Sequence, residues 1–193
     1  MPLIEDPEVK FLGECSRRLQ EEHRKKKKNT WDESPFGWLV AGPSSREKGA
    51  IGEELVSSYL EYKGFDVSRP PDSEADRIVA GKRVEIKMST LWKNGIYKFQ
   101  QLRDQNYDFV ICLGVSPFDV HCWVIPKQII IDKWHDDEVK DIRSQHGGVA
   151  ATETAWLQVR PQSPSEWIRE WGGSLVEGVG KIAEITGQKL RGL

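Results

Sequence analysis

The sequence has little of what marks a secreted or membrane-embedded protein. No apolar run in its 193 residues approaches the roughly 20 residues that cross a bilayer. The three cysteines are odd in number and two lie in apolar runs, which predicts thiols packed in a core rather than a disulfide framework. The first ten residues, MPLIEDPEVK, lack the basic-then-apolar pattern of a secretion signal. These absences predict a cytoplasmic protein without a membrane partner.

An excess of charge of either sign is also missing. Lys and Arg number 28 against 30 Asp and Glu, which gives a net charge of −2. Overall charge therefore does not predict a nucleic-acid partner, and such a partner would have to bind a local basic patch. Hydrophobic residues at 38% and charged residues at 30% are ordinary for a globular chain. The length allows one domain with a substantial core and some extension.

The spacing of apolar residues divides the chain into three parts. Residues 1–45 predict a polar helix over 6–28, followed by a loop rich in Pro, Gly and Ser. Residues 46–126 carry the clearest periodic segments and are predicted to form the core. Residues 127–193 are less regular and hold scattered tryptophans, which predicts an extension wrapped on the core and ending in a frayed helix.

Helical and strand-like patterns alternate within the core part. A helix is predicted over 48–65, where apolar residues recur at helical spacing until Gly64. The order of elements predicts an α/β (α+β) fold with a central mixed sheet flanked by helices. The predicted strands are 65–67, 75–79, 82–88, 108–115 and 119–126, with a short strand edge and a short helix within 95–107.

One predicted strand, in the stretch GKRVEIKMST, carries two charged side chains on the same face. Side chains alternate between the faces of a strand, so Glu85 and Lys87 point one way and their apolar neighbours point the other. Asp76 lies on the preceding strand, across the tight turn at 80–81. Three other Glu-x-Lys triplets occur in the chain, but in helical or polar surroundings. The context therefore carries the signal, and the triplet alone does not.

These residue types suit the hydrolysis of a phosphodiester bond. That reaction needs oxygen ligands for a hard divalent cation, and positive charge facing the transition state. Asp76 and Glu85 are candidate ligands for Mg²⁺, for which Mn²⁺ can substitute, with the Ile86 carbonyl as a third ligand. Lys87 is a candidate for orienting or deprotonating the attacking water and for stabilising the phosphate. An acid of the preceding helix, Glu53 or Glu54, is a candidate for holding a metal-bound water.

Residues 49–126 resemble the restriction-endonuclease-like superfamily of PD-(D/E)xK nucleases. The stretch GAIGEELVSSYLEYKGF is similar to the first core helix of that family, and Glu53 occupies the position of its helix acid. Asp76 matches the first motif acid, although Ala75 stands where the motif has proline, and the triplet 85–87 matches (D/E)xK. The resemblance implies an αβββαβ core and metal-dependent cleavage of DNA.

Aromatic, basic and amide side chains are interleaved in the segment WKNGIYKFQQLRDQNYDF, 92–109. Such groups contact phosphates and base edges of nucleic acids. Some nucleases of the superfamily carry a glutamine on the helix after the lysine strand, and Gln101 is the best match. The Gln-x-x-x-Tyr spacing of the exonuclease-like branch is absent. An ordinary amphipathic helix is the alternative explanation. The candidate DNA-binding residues are Lys93, Lys98, Gln100, Gln101 and Arg103.

The favoured interpretation is a Mg²⁺-dependent DNA endonuclease of the restriction or defence type. Cutting both strands of a duplex needs two such sites, which favours a homodimer. A structure-specific nuclease of recombination or repair is an alternative within the same chemistry. A non-catalytic DNA-binding module on the same fold, or a charged strand face that forms only surface ion pairs, is the alternative outside it.

Overall fold

The computed structural model of the chain describes residues 7–26, 30–145 and 153–188. Within these ranges the helices are α1 (Pro7–Lys26), α2 (Trp38–Ala41), α3 (Ser45–Tyr62), α4 (Lys127–Trp134), α5 (Glu166–Arg169) and α6 (Leu175–Thr186). The strands there are β1 (Val67–Ser68), β2 (Arg77–Val79), β3 (Lys82–Thr90), β4 (Tyr97–Leu102), β5 (Phe109–Val115), β6 (Val120–Pro126), β7 (Ile142–Ser144), β8 (Ala155–Val159) and β9 (Gly172–Ser174). Residues 6, 27 and 28 of the predicted first helix lie outside the described residues.

A mixed sheet of six strands forms the centre of the fold. Its order is β1-β2-β3-β5-β6-β9, and β3 and β5 run parallel while every other neighbouring pair is antiparallel. Helices α3 and α6 cover one face with apolar side chains such as Val56 and Val179. The other face is covered by a second sheet of order β4-β8-β7 together with apolar residues of α4 and α5. The predicted mixed sheet flanked by helices is confirmed.

Two local patterns explain the strands that carry the candidate site. All seven residues of β5 are buried, as expected of a near-continuous apolar run in the middle of a sheet. The turn between β2 and β3 uses Ala80 and Gly81, with φ of +47° and +80°. Two positive φ angles are typical of the tight turn whose twist matches an antiparallel hairpin. The hairpin holds β2 in register with β3, with Arg77 opposite Val84.

The segment 95–107 differs from its prediction. A short helix was predicted there, and the structure instead has β4 followed by a loop that leads into β5. Tyr97 and Phe99 are fully buried at period two and pair with Val159 and Leu157 of β8. A partner strand more than fifty residues away therefore decides the conformation, and tertiary packing overrides the local helical pattern. In the implied αβββαβ order, β4 and the small sheet stand where the second helix was expected.

The chain after residue 126 is more regular than its composition suggests. It supplies β7 and β8 to the small sheet and β9 to the edge of the central sheet. The helix predicted near the end is α6, which begins with a capping box between Ser174 and Glu177. Its Gly178 lies so close to Cys122 that a Cβ there would stand 2.5 Å from the sulfur. Among the described residues, no helix is both long and apolar enough to cross a membrane.

Candidate functional site

The β2–β3 hairpin brings Asp76 to the edge of β3. Asp76 immediately precedes β2, and its backbone N–H donates to the Val84 carbonyl over 2.9 Å. Its Oδ2 accepts a hydrogen bond of 2.7 Å from the Ile86 N–H. The carboxylate is therefore fixed beside the backbone of the Glu-x-Lys triplet. The carbonyl of a strand residue lies on the same side of the strand as its N–H, so the Ile86 carbonyl also faces this edge.

Glu85 and Lys87 share one face of β3, as the alternation of side chains predicts. They stand opposite Val110 and Cys112 of the parallel strand β5. The Lys87 Nζ lies 2.5 Å from Glu85 Oε1. The Glu85 side chain is only 6% exposed and that of Lys87 is 19% exposed. The acid is therefore held in the protein while the ammonium group retains some access to solvent.

Burial and a neighbouring carboxylate make the charge of Glu85 costly. Burial raises the pKa of its carboxyl group above the usual value, and the charge of Asp76 raises the pKa further. Lys87 opposes these effects, and Arg103 does so to a smaller extent. An acid whose negative charge is disfavoured in this way gains from a bound cation.

Glu53 reaches the same region from α3. Its Oε2 accepts a hydrogen bond of 2.9 Å from Arg77 Nη1, and the same nitrogen donates to the Asp76 carbonyl over 2.7 Å. Arg77 Nε donates to Ser57 Oγ over 2.9 Å, which ties the guanidinium to α3. Burial raises the pKa of Glu53, with a further contribution from the charge of Asp76, and Arg77 opposes both. The four residues singled out from the sequence, Glu53, Asp76, Glu85 and Lys87, thus lie in one electrostatically coupled group.

Arg77 was missed by the sequence reading. It is largely buried, with 12% of its side chain exposed, and it links Glu53 to the backbone of Asp76. Its position directly after the first motif acid is the signal that could have found it. A polar pocket of about 430 Å³ opens beside this group, between α3 and the loop before β2. Its charged lining residues are Glu53, Glu54, Arg69, Asp72, Asp76 and Arg77.

The oxygen atoms at this edge fit a hard divalent cation. Within the described residues, no group of three or more His, Cys, Asp and Glu side chains is arranged to hold a metal ion by itself. The set predicted here is different, because it joins the carboxylates of Asp76 and Glu85 to the Ile86 carbonyl. The electrostatics of Glu85 are consistent with a cation here. Burial raises the pKa of its carboxyl group, and the negative charge of Asp76 raises it further. All three groups are oxygen donors, which Mg²⁺ prefers, and water would complete the shell.

Comparisons with known proteins give little for this chain. No protein-family model matches the sequence, and no curated protein matches it significantly. Among solved structures, the chain is similar to a bacterial homing endonuclease, I-Ssp6803I, at 16% identity and a TM-score of 0.46. The match covers 76% of this chain and 99% of that chain. At these values the likeness carries no argument about function, which has to rest on the site itself.

The candidate DNA-binding residues lie before, within and after β4. Arg103 directly follows β4, and its charge lowers the pKa of Glu85 slightly. Lys93 is exposed in the turn before β4. Between them, Lys98 stacks on two indoles, with Nζ 3.6 Å from the ring centre of Trp156 and 5.6 Å from that of Trp92.

Gln100 and Gln101 form a bulge in β4. Phe99 pairs with Leu157 and Leu102 with Ala155, so β4 has one more residue than β8 between these pairs. Gln101 has φ of +59°, a left-handed conformation that is uncommon for a residue other than glycine. Both side chains are exposed. The expectation that Gln101 lies on a helix is wrong, because β8 captures this segment as a strand.

Proposed function

We propose that this protein is a metal-dependent DNA endonuclease that hydrolyses phosphodiester bonds, of the restriction or defence type. One observation carries the proposal: Asp76, Glu85 and Lys87 converge at the edge of β3, beside the backbone of Ile86. The ion pairs of a surface network form between exposed side chains. The Glu85 side chain is only 6% exposed, and its burial raises the pKa of its carboxyl group. Catalytic groups commonly have such perturbed pKa values.

Each residue of the site has a separate task in this proposal. Asp76 and Glu85, with the Ile86 carbonyl, would bind the Mg²⁺ or Mn²⁺ ion. Such an ion supplies Lewis-acid stabilisation of the phosphate and an acidified water when bound. Lys87 orients the attacking water and places positive charge near the developing charge of the transition state. Glu53, held by Arg77, positions a water beside the two acids.

The segment from β4 to β5 would hold the substrate near this site. Arg103 lowers the pKa of Glu85, and the half-buried Lys98 stacks on Trp156; in this proposal both contact phosphates. Lys93, Gln100 and Gln101 extend the same strand with exposed basic and amide groups. A duplex with both strands to cut needs two sites, and we propose a homodimer for that reason.

The first test is a cleavage assay with a matched pair of lysine variants. Lys87→Ala should lower the cleavage rate by about 100-fold or more, because the lysine acts in the transition state. DNA binding should change little, since the charge that holds the duplex lies elsewhere. Lys181→Ala, on α6 at the opposite face of the central sheet, is the control and should cleave like the wild type. The substrates are supercoiled plasmid, linear duplex and a four-way junction, each with Mg²⁺ or Mn²⁺.

The outcomes separate the alternatives. A preference for the junction would replace the restriction type with a structure-specific nuclease of recombination or repair. Equal, large losses of binding and cleavage in Lys87→Ala would make Lys87 a phosphate contact. Tight binding without any product, by folded wild-type protein with either metal, would contradict the enzyme and favour a DNA-binding module.

A further inference from the structure

The small sheet β4-β8-β7 has one buried face and one open face. In β8, Ala155, Leu157 and Val159 are buried, and they pack with Phe99 of β4 over the central sheet. Because side chains alternate between the two faces of a strand, the residues of β8 between these buried ones point outwards. Among the described residues, the outward side chains of this sheet are Lys98, Gln100, Arg143, Trp156 and Gln158.

Cross-strand pairing sets these outward side chains in two rows. Lys98 stands opposite Gln158, and Arg143 stands opposite Trp156. The bulge of β4 lies opposite Trp156 on the other side, so Gln100 extends the second row. Every member is basic, aromatic or an amide, which are the groups that read or stack on nucleic-acid bases.

The basic groups of this face are not neutralised. In the part of the chain that the structure describes, no Asp or Glu lies within ion-pairing distance of Lys98 or Arg143, nor of Arg160, which directly follows β8. Arg143 donates through Nε to the Lys140 carbonyl over 3.1 Å. Arg160 donates through Nη1 to the Asn94 carbonyl over 3.2 Å. These bonds orient the two guanidinium groups, each of which carries further N–H donors.

The dimensions of the face suit the major groove. Neighbouring strands are about 4.8 Å apart, so three strands span roughly 10 Å, and the groove is about 12 Å wide. The face also lies beside the candidate site. Strand β4 is the edge of the small sheet and contacts β3, since the Lys98 backbone N–H donates to Ser89 Oγ over 2.9 Å.

We infer that the outer face of the β4-β8-β7 sheet reads base edges in the major groove of the duplex that is cut at the neighbouring site. This inference rests on the proposed function. Arg143 has the donor geometry for O6 and N7 of guanine, and Gln158 and Gln100 suit N6 and N7 of adenine. Lys98 contacts a phosphate, and Trp156, whose ring centre lies 3.6 Å from Lys98 Nζ, holds the ammonium group in place.

The test is a selection from a pool of DNA duplexes with a randomised central segment. The wild type, the double variant Arg143→Ala/Gln158→Ala and the control Lys181→Ala are each used as bait. Ca²⁺ replaces Mg²⁺, so that the bound duplex is not consumed. The wild type should enrich a preferred sequence. The double variant should bind that sequence about tenfold or more weakly and should lose the preference at particular base pairs. Lys181→Ala should behave as the wild type.

Any of three results would overturn the inference. The first is that the double variant selects the same sequence with unchanged affinity. The others are that the wild type enriches no sequence, or that it binds no duplex. Cleavage of plasmid with Mg²⁺, measured alongside, reports on the proposed function separately. If cleavage depends on Lys87 and the double variant selects and binds DNA like the wild type, the proposed base-reading role of the outer face is wrong and the nuclease proposal is supported. If the wild type selects a sequence that the double variant no longer prefers, but no substrate is cut, the base-reading role of the outer face is supported and the nuclease proposal is wrong.

Discussion

Glu85 is a buried acid that the fold holds at a cost. Its carboxylate faces Lys87, but burial is the largest influence on its pKa and the nearby Asp76 adds to it. Under the proposed function, the charge of Glu85 is kept for a bound cation.

We predict that Glu85→Gln stabilises the metal-free protein near neutral pH. Below 4.5, the usual pKa of a glutamate, both folded and unfolded wild-type chains hold the proton and the variant gains little. As the pH rises from there, the unfolded wild type releases its proton first, and the folded state is destabilised until the pH passes its raised pKa. The melting temperature of the variant should exceed that of the wild type near neutrality, and the difference should shrink in acid.

The same variant tests the metal site. Mg²⁺ should raise the melting temperature of the wild type and leave that of Glu85→Gln unchanged, because a ligand stabilises only the state that binds it. Glu61→Gln, at an exposed position near the far end of α3, is the control and should respond to Mg²⁺ as the wild type does. Equal stabilisation of all three proteins would exclude Glu85 as a metal ligand.

At the scale of elements, the contact between α3 and β3 sets the position of Glu53. A Cβ at Gly52 would lie 2.6 Å from the Met88 Cβ, so the helix can approach the strand this closely only with glycine there. Glu53 is the next residue along the helix, and its distance from Asp76 depends on this approach.

We predict opposite effects for two glycine substitutions in α3. Gly52→Ala should lower the free energy of unfolding by about 1–3 kcal/mol, as for overpacking of a core. Gly49→Ala, with open space around its Cβ, should raise it by up to about 1 kcal/mol, because alanine favours the helix. Urea denaturation measures both. A similar gain in the two variants would show that α3 and β3 are not packed as described.

Elements whose signals are local could be predicted from the sequence. Helix α3, strand β5 and the β2–β3 hairpin each carry their own periodicity or turn, and the hairpin brought Asp76 next to Glu85 without further information. Strand β4 and the outer face of the small sheet could not be predicted, because they depend on pairing with β8, far along the chain. The role of Arg77 depends on the approach of α3, and in the sequence only its place directly after Asp76 pointed to it.

At the scale of the whole molecule, the two sheets are completed by the end of the chain. Strand β9 forms an edge of the central sheet, and α6 covers the face that also packs against α3. Strand β8 covers the opposite face through Leu157 and its buried neighbours. The core part of the sequence, 46–126, therefore leaves both faces of its sheet partly open when taken alone.

We predict that a chain ended after Pro126 does not fold cooperatively. Removing β8 and α6 exposes apolar side chains on both faces of the central sheet, and the remaining burial falls short of the entropy cost of ordering the chain. Near-ultraviolet circular dichroism during urea denaturation should show a broad or absent transition. The full chain is the control, and a sharp transition in the shortened chain would show that residues 46–126 form an independent domain.

The separation of the two sheets bears on how such a protein can change during evolution. Of the candidate cutting residues, Glu85 and Lys87 lie on β3, where neighbouring positions are buried and most substitutions cost stability. Arg143 on β7 is exposed, and substitutions at exposed positions usually alter stability by less than about 0.5 kcal/mol. Mutations could therefore accumulate on the small sheet, and redirect the protein to new target sequences, while the chemistry of the central sheet is inherited unchanged.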